Sequence, residues 1–368
     1  MTDGSACMKV NAALSGHDNN FNLLRVLAAF AVLYSHSYAL SDGTGAGEPF
    51  RALLGMSLGG IAVDIFFIIS GFLVCGSLLR RQSSVDFLKG RFYRVFPALL
   101  VMVTLTVLLL GPWLTRLSLS EYFASKEVFK YFYKNATLLG GVTYKLPGVF
   151  ESNPYPLAVN GSLWTLPVEL RMYGYLLGLW LLFGLLRCRQ MQFFRIAVVA
   201  VFLVAVALRL YEYFQLPEEN VKLRLLSMFF AGAAFQVLSR HVRLDARFFW
   251  MVLLSLAFAA VIDKQAFFAV YSLFLSYVVL FLACRPVGVL RGFNRLGDYS
   301  YGVYLYAFPV QQTIAFLVLG VGVWEMVFLS SIITLFLAIF SWHFVEKPSL
   351  EYWRIKKRRE CGRVFVVS

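Results

Sequence analysis

The feature that most constrains this chain is a series of long, nearly uncharged apolar stretches. Each is close to the roughly 20 residues that a helix needs to cross a bilayer. They run over 21–40, 57–79, 95–114, 163–186, 193–213, 223–238, 248–262, 266–283, 299–319 and 323–345. Apolar residues make up 60% of the chain and charged ones only 15%. A soluble domain needs more charge than that to cover its surface, and unbroken apolar runs of this length are rare in soluble bundles. The expected fold is therefore all-α, a polytopic integral membrane bundle of about ten transmembrane helices. The runs at 223–238 and 248–262 are the shortest of the set.

The net charge of +14 does not point to nucleic acid, because the basic residues form no single groove-sized patch. They fall in alternate connections. One set holds Arg80, Arg81, Lys89, Arg91 and Arg94, then Arg187, Arg189 and Arg195, then Arg240, Arg243 and Arg247. It continues with Arg285, Arg291 and Arg295 and closes with Lys356, Lys357, Arg358 and Arg359. The intervening loops are poorer, apart from scattered lysines between Glu121 and Lys145. Short cytoplasmic loops carry such an excess, so both termini read as cytoplasmic and the number of crossings as even. The basic tail after Pro348 suits contact with anionic lipid heads.

Cysteine placement agrees with this orientation. Cys7, Cys75, Cys188, Cys284 and Cys361 all fall at or near the cytoplasmic side. An odd count on a reducing face argues against a disulfide framework, and the spacing matches no metal-binding pattern. The first apolar run lacks a small-residue cleavage site and reads as a retained helix. The organisation expected is a cytoplasmic tail (1–20), a membrane domain (21–346) and a basic cytoplasmic tail (347–368). An outer loop spans 115–160. Its stretch 121–134 is aromatic and amphipathic and suits an interfacial helix, while the section with Pro147, Pro154 and Pro156 suits a shaped loop. The loop's tyrosines and phenylalanines fit either stacking on sugar rings or ordinary interfacial anchoring. The tripeptides starting at Asn135 and Asn160 fit glycosylation acceptors.

Ionisable residues inside membrane segments are expensive, so each is a functional candidate. Arg25 and His36 share the first apolar run. Eleven residues at ~100° each is three turns plus roughly 20°, so both face one way, about 16 Å apart along the axis. Such a pair can line a passage, the cation holding an anionic substrate and the imidazole handling a proton. The competing reading is a snorkelling arginine and a histidine bonded to a neighbouring helix. The other histidines stand elsewhere: His17 in the polar tail, His241 in a basic loop and His343 near the inner end of the last run. Asp64 lies in the second run and must be paired or face a polar cavity. Arg91 and Arg94, three apart after that run, share a face and can clamp phosphates, or simply anchor topology. Glu169 sits in the fourth run and suits an imidazole or hydroxyl partner, or a salt bridge with Arg171 or another arginine.

Taken in order, these elements resemble the acyltransferase-3 family of membrane acyltransferases over nearly the whole of 21–348. Arg25 and His36 are similar to its arginine, ten residues, histidine signature. Val63 to Phe72 resembles its Val-Asp-aromatic-aromatic…Ser-Gly-Phe run. Arg91 and Arg94 resemble its Arg-x-x-Arg element, and Ser162, Trp164 and Glu169 its Ser-x-Trp…Glu element. Ser300 to Leu305 and Glu346 to Pro348 are similar to its late motifs. One departure is Ala307, where members often carry a histidine.

The resemblance implies transfer of an acyl group, usually acetyl, from cytoplasmic acyl-CoA to a hydroxyl of an extracytoplasmic or lipid-linked carbohydrate. It implies that His36 is catalytic and that Arg25, Arg91 and Arg94 serve the CoA side. Glu169 is then expected to orient or balance His36, with Asp64 and Trp164 on the substrate. The expected setting is a bacterial inner membrane, with acyl-CoA as donor substrate and no permanently bound cofactor. Two other classes stay open on the residues alone: a transporter with an Arg25, Asp64, Glu169 and His36 path, and a structural partner of a glycan assembly complex.

Overall fold

The computed structural model describes residues 7–9, 19–81, 83–185, 190–216, 220–285 and 289–364. The readings made above for His17, Arg187, Cys188 and Arg189 lie outside the described residues, as do the side chains of Cys7, Arg81, Arg295, Arg358, Arg359 and Cys361. Among the described residues each of the ten apolar runs is helical over most of its length. In chain order the long helices are α1 (Phe21–Asp42), α2 (Leu58–Arg81), α3 (Ser84–Leu105) and α4 (Thr165–Leu185). They continue with α5 (Gln190–Gln215), α6 (Val221–Val237), α7 (Ala246–Ile262) and α8 (Lys264–Cys284). Last come α9 (Ser300–Leu317), α10 (Val323–Ser341) and α11 (Lys347–Val364). Only helices satisfy every backbone polar group within one segment, which is why apolar runs in lipid adopt them.

Seven spans are long and apolar enough to cross a membrane by length and composition: Phe21–Asp42, Leu58–Arg80, Ser84–Leu114, Gly161–Gly184, Met191–Gln215, Lys264–Cys284 and Val323–Lys357. The expected count of ten rests on three shorter helices, α6 and α7 with 17 residues each and α9 with 18. Seventeen residues at about 1.5 Å each reach about 26 Å, just under the hydrocarbon thickness. Large apolar side chains point outward, Phe258 70%, Val261 86% and Leu319 91% exposed. That outward-facing surface suits lipid, not water.

One expectation is corrected in detail. The Arg91-to-Arg94 segment is not in a connecting loop: helix α3 begins at Ser84, capped by the Ser83 hydroxyl, which accepts from the Asp86 amide at 3.3 Å. Cys7–Lys9 pairs antiparallel with Arg243–Asp245, a two-stranded ribbon among the described residues. A π-helical turn, Thr106–Leu110, continues α3, and a second, Trp342–Glu346, joins α10 to α11. Such turns occur mostly as single-turn bulges inside α-helices, frequently at functional sites.

The chain divides into two compact units. The first comprises 1–32, 47–82 and 168–298. Its tightest contact is α2 against α6, where glycines bring the backbones together. A Cβ at Gly71 would collide with the Phe229 carbonyl oxygen, and one at Gly232 with that of Ile68. Small residues at such a crossing substitute for the hydrophobic drive that lipid removes. The second unit comprises 33–46, 83–167 and 299–368, and contains α9 packed on α10 and the outer loop. In that loop the stretch read as one interfacial helix is two, Leu119–Ala124 and Lys126–Thr137, broken at Ser125. Burial pushes the Tyr122 phenol up to about 12, and its hydroxyl donates to the Val107 carbonyl at 3.1 Å.

Candidate active site

In the first unit, three of the sequence candidates are engaged by the protein itself. The Arg25 guanidinium donates to the Asp298 carboxylate; the side chains are 19% and 9% exposed. Asp64 is fully buried. Its Oδ2 accepts the Tyr271 hydroxyl at 2.7 Å, and the Arg224 Nε stands 3.3 Å from Oδ1. Nearby, the buried Arg209 guanidinium lies 4.6 Å from the Phe268 ring centre and 5.8 Å from that of Tyr271. The requirement that a carboxylate in this run be paired is thus met by an arginine and a tyrosine. Glu169 accepts at Oε1 from Ser70 at 2.7 Å and from Tyr173 at 2.5 Å. Two hydroxyls, not Arg171, hold it, and Ser70 comes from the same second-run motif as Asp64.

In the second unit, His36 is partly exposed, yet its Nδ1 is covered and has no hydrogen-bond partner among the described residues. The ring meets Phe308 edge-on, centres 5.2 Å apart at 79°. The backbone around it is tied to α9 by Gln311, whose amide donates to the Leu33 carbonyl at 2.8 Å and the Ser37 hydroxyl at 2.7 Å. Arg94 stands 3.7 Å from the buried Glu346, in the second π turn, and lies over the Tyr301 ring at 5.8 Å. Arg91 is partly exposed on the same helix. Trp164 ends a short 3-10 helix, Gly161–Trp164, that docks on α9: Tyr304 donates to the Ser162 carbonyl, and its hydroxyl is 2.9 Å from that of Thr165. Asn160 caps that turn and donates to the Leu305 carbonyl at 3.0 Å, while Asn135 is bonded to Thr143. Both asparagines are buried, so neither is presented as a glycosylation acceptor.

The motifs that were separate in sequence therefore meet in pairs. Arg94 meets Glu346 of the closing motif, and the Ser162 element meets Tyr304 of the late-helix motif. Sequence reasoning missed Asp298, Arg209, Arg224 and Tyr271. The rule that flags Asp64 applies equally to Arg209 and Arg224, each inside an apolar run; what it cannot give is who pairs with whom. An apolar groove of about 570 Å³ also lies in this unit, lined by Met102, Trp113, Tyr306, Pro309, Thr313 and Leu337 among others.

Each unit thus holds ionisable side chains inside apolar helices, the residue type that marks a functional candidate in a membrane protein. Comparison with known proteins names the kind. A family model described as an acyltransferase domain (Acyl_transf_3) matches residues 18–343, and the chain belongs to that family. It is 34% identical over 343 residues to an O-acetyl transferase of Shigella phage Sf6, covering 90% of this chain and 96% of that protein. It is 29% identical over 375 residues to Nodulation protein 10 of Rhizobium leguminosarum bv. viciae, covering 93% and 95%. No solved structure matches. The protein is a multi-pass membrane acyltransferase.

Proposed function

We propose that this acyltransferase moves an acetyl group from cytoplasmic acetyl-CoA to a hydroxyl of a carbohydrate, extracytoplasmic or lipid-linked. His36 removes the hydroxyl proton as the oxygen attacks the thioester carbonyl. The ester C–O bond forms, the C–S bond breaks, and the proton passes on to the departing CoA thiolate. Arg91 and Arg94 attract the CoA phosphates, and Trp164 shapes the substrate path. The bilayer is a bacterial inner membrane with both termini in the cytoplasm, in keeping with the alternate basic connections.

One observation carries this reading: the covered Nδ1 of His36, without a partner among the described residues, on a histidine that keeps partial exposure. A histidine retained for packing has its buried nitrogen bonded to a neighbour, and an orphaned one asks for a functional explanation. The printed name of the phage relative, an O-acetyl transferase, supports acetyl as the group. The test uses purified His36→Ala and His36→Gln in detergent, with radiolabelled acetyl-CoA and deacetylated envelope glycan from a deletion strain. Both variants are expected to purify normally and to lose transfer, because a general base is worth roughly 10² to 10⁴ in rate. Transfer by His36→Gln above about a tenth of the wild-type rate overturns the assignment.

A further inference from the structure

The outer loop is held to helix α9 by a closed set of hydrogen bonds. The fully buried Gln312 donates from Nε2 to the Tyr155 carbonyl at 2.8 Å and the Ala158 carbonyl at 2.6 Å. Its Oε1 accepts from Asn153 Nδ2 at 2.7 Å, and the same nitrogen reaches the Gln312 carbonyl at 2.9 Å. Four bonds thus join Gln312 to three residues of the loop, Asn153, Tyr155 and Ala158. Within the clamped segment Leu157 takes a left-handed backbone, φ 69°. For a branched non-glycine residue that conformation costs energy and persists only where the surroundings impose it.

What the clamp presents is the Tyr155 ring. It meets Phe308 edge-on, 6.2 Å between centres at 78°, and Phe308 is the ring that also meets His36. Phe308 itself is boxed in: a Cβ at Gly161 would stand 2.6 Å from it. One immobile phenylalanine therefore bridges the histidine and the loop tyrosine. Tyr155 is 40% exposed and Tyr144 37%. Burial, and then Tyr155, push the Tyr144 phenol upward. The Val159 amide donates to the Tyr144 carbonyl at 2.7 Å, which ties the Tyr144 backbone to the residue that follows the clamped Ala158. Tyrosine offers an apolar face with a polar tip at low entropic cost, a pair of properties suited to a sugar ring with its hydroxyls.

We propose that Tyr155 and Tyr144 form the acceptor platform, a binding subsite for a sugar ring beside His36, and that Gln312 with Asn153 is the positioning clamp that holds it. This rests on the carbohydrate-acetylating function proposed above. Interfacial anchoring alone does not account for it, because anchors need no fourfold clamp and no shared contact with the histidine's neighbour.

The experiment measures two quantities on purified protein in lipid nanodiscs. Binding of deacetylated envelope glycan from a deletion strain is read by isothermal titration, without donor. Steady-state transfer from labelled acetyl-CoA is read with the same glycan varied. Tyr155→Ala is expected to weaken glycan binding and raise its KM at least tenfold, with the KM for acetyl-CoA within twofold. Tyr155→Phe keeps the ring and should recover most of the affinity. Gln312→Glu keeps the Oε1 contact but loses both Nε2 donors, and should raise the glycan KM without moving the donor KM; Asn153→Ala should do the same if Gln312 variants misfold. Glycan affinity and KM within twofold of wild type in Tyr155→Ala overturn the platform. Wild-type glycan binding without any acetyl transfer overturns the proposed function and leaves the platform standing. Neither binding nor transfer by wild type overturns both.

Discussion

Replacing Asp64 tests whether that residue is held for the fold or for substrate. Its carboxylate is fully buried, accepts the Tyr271 hydroxyl at 2.7 Å and pairs with Arg224 at 3.3 Å, with Arg209 stacked on the neighbouring rings. Asp64→Ala leaves buried guanidinium charge without its counter-ion, a loss of about 3–5 kcal/mol. The second cation nearby sets the expectation at the upper end of that range. Tyr271→Phe removes one hydrogen bond to a charged group, about 1–2 kcal/mol, nearer the lower figure because hydrogen bonds between membrane helices average less than in water. The double variant Asp64→Leu/Arg224→Met removes both charges together and should cost less than Asp64→Ala alone. The assay is reversible unfolding in mixed micelles, followed by tryptophan fluorescence, with transfer measured on each variant. The reasoning fails if Asp64→Ala costs under about 1 kcal/mol, or if the double variant is the less stable of the two. A variant that keeps full stability yet loses all transfer would instead put Asp64 on the substrate.

Gly71→Ala and Gly232→Ala each force a Cβ into the facing backbone, so the α2–α6 contact must open. Each should lower the unfolding midpoint and cost at least about 2 kcal/mol, and a cost under about 0.5 kcal/mol in micelle unfolding would mean that the helices are not in close contact. The Arg91→Lys/Arg94→Lys variant keeps charge but loses the forked geometry. Its KM for acetyl-CoA should rise at fixed ionic strength with little change in that for glycan; wild-type kinetics would reduce the pair to topology anchors. Because Arg94 also faces Glu346 at 3.7 Å, the unfolding midpoint must be read alongside, to separate donor loss from a loosened α3.

The sequence by itself determined the solvent and therefore the secondary structure. Apolar runs of this length leave helices as the only spanning form, and among the described residues each of the ten runs is helical over most of its length. It also determined which residues carry unusual cost, since an aspartate or a glutamate in such a run stands out without any coordinates. The position of the basic segment on α3 was half legible: the 3-residue spacing of Arg91 and Arg94 was plain, but the Ser83 cap that draws them into the helix is a local signal easily read as loop. Partnership was not legible at all. Asp298 lies 273 residues from Arg25 and Tyr271 207 from Asp64, and no periodicity along a chain encodes which of several buried cations a carboxylate will meet. The same holds for Gln312 and Asn153, two uncharged amides in unremarkable contexts. Their significance comes from complementary donors and acceptors across 159 residues, and that is decided only when the helices pack, because an amide's hydrogen bonds in a water-poor interior must be satisfied by whatever the fold brings within reach.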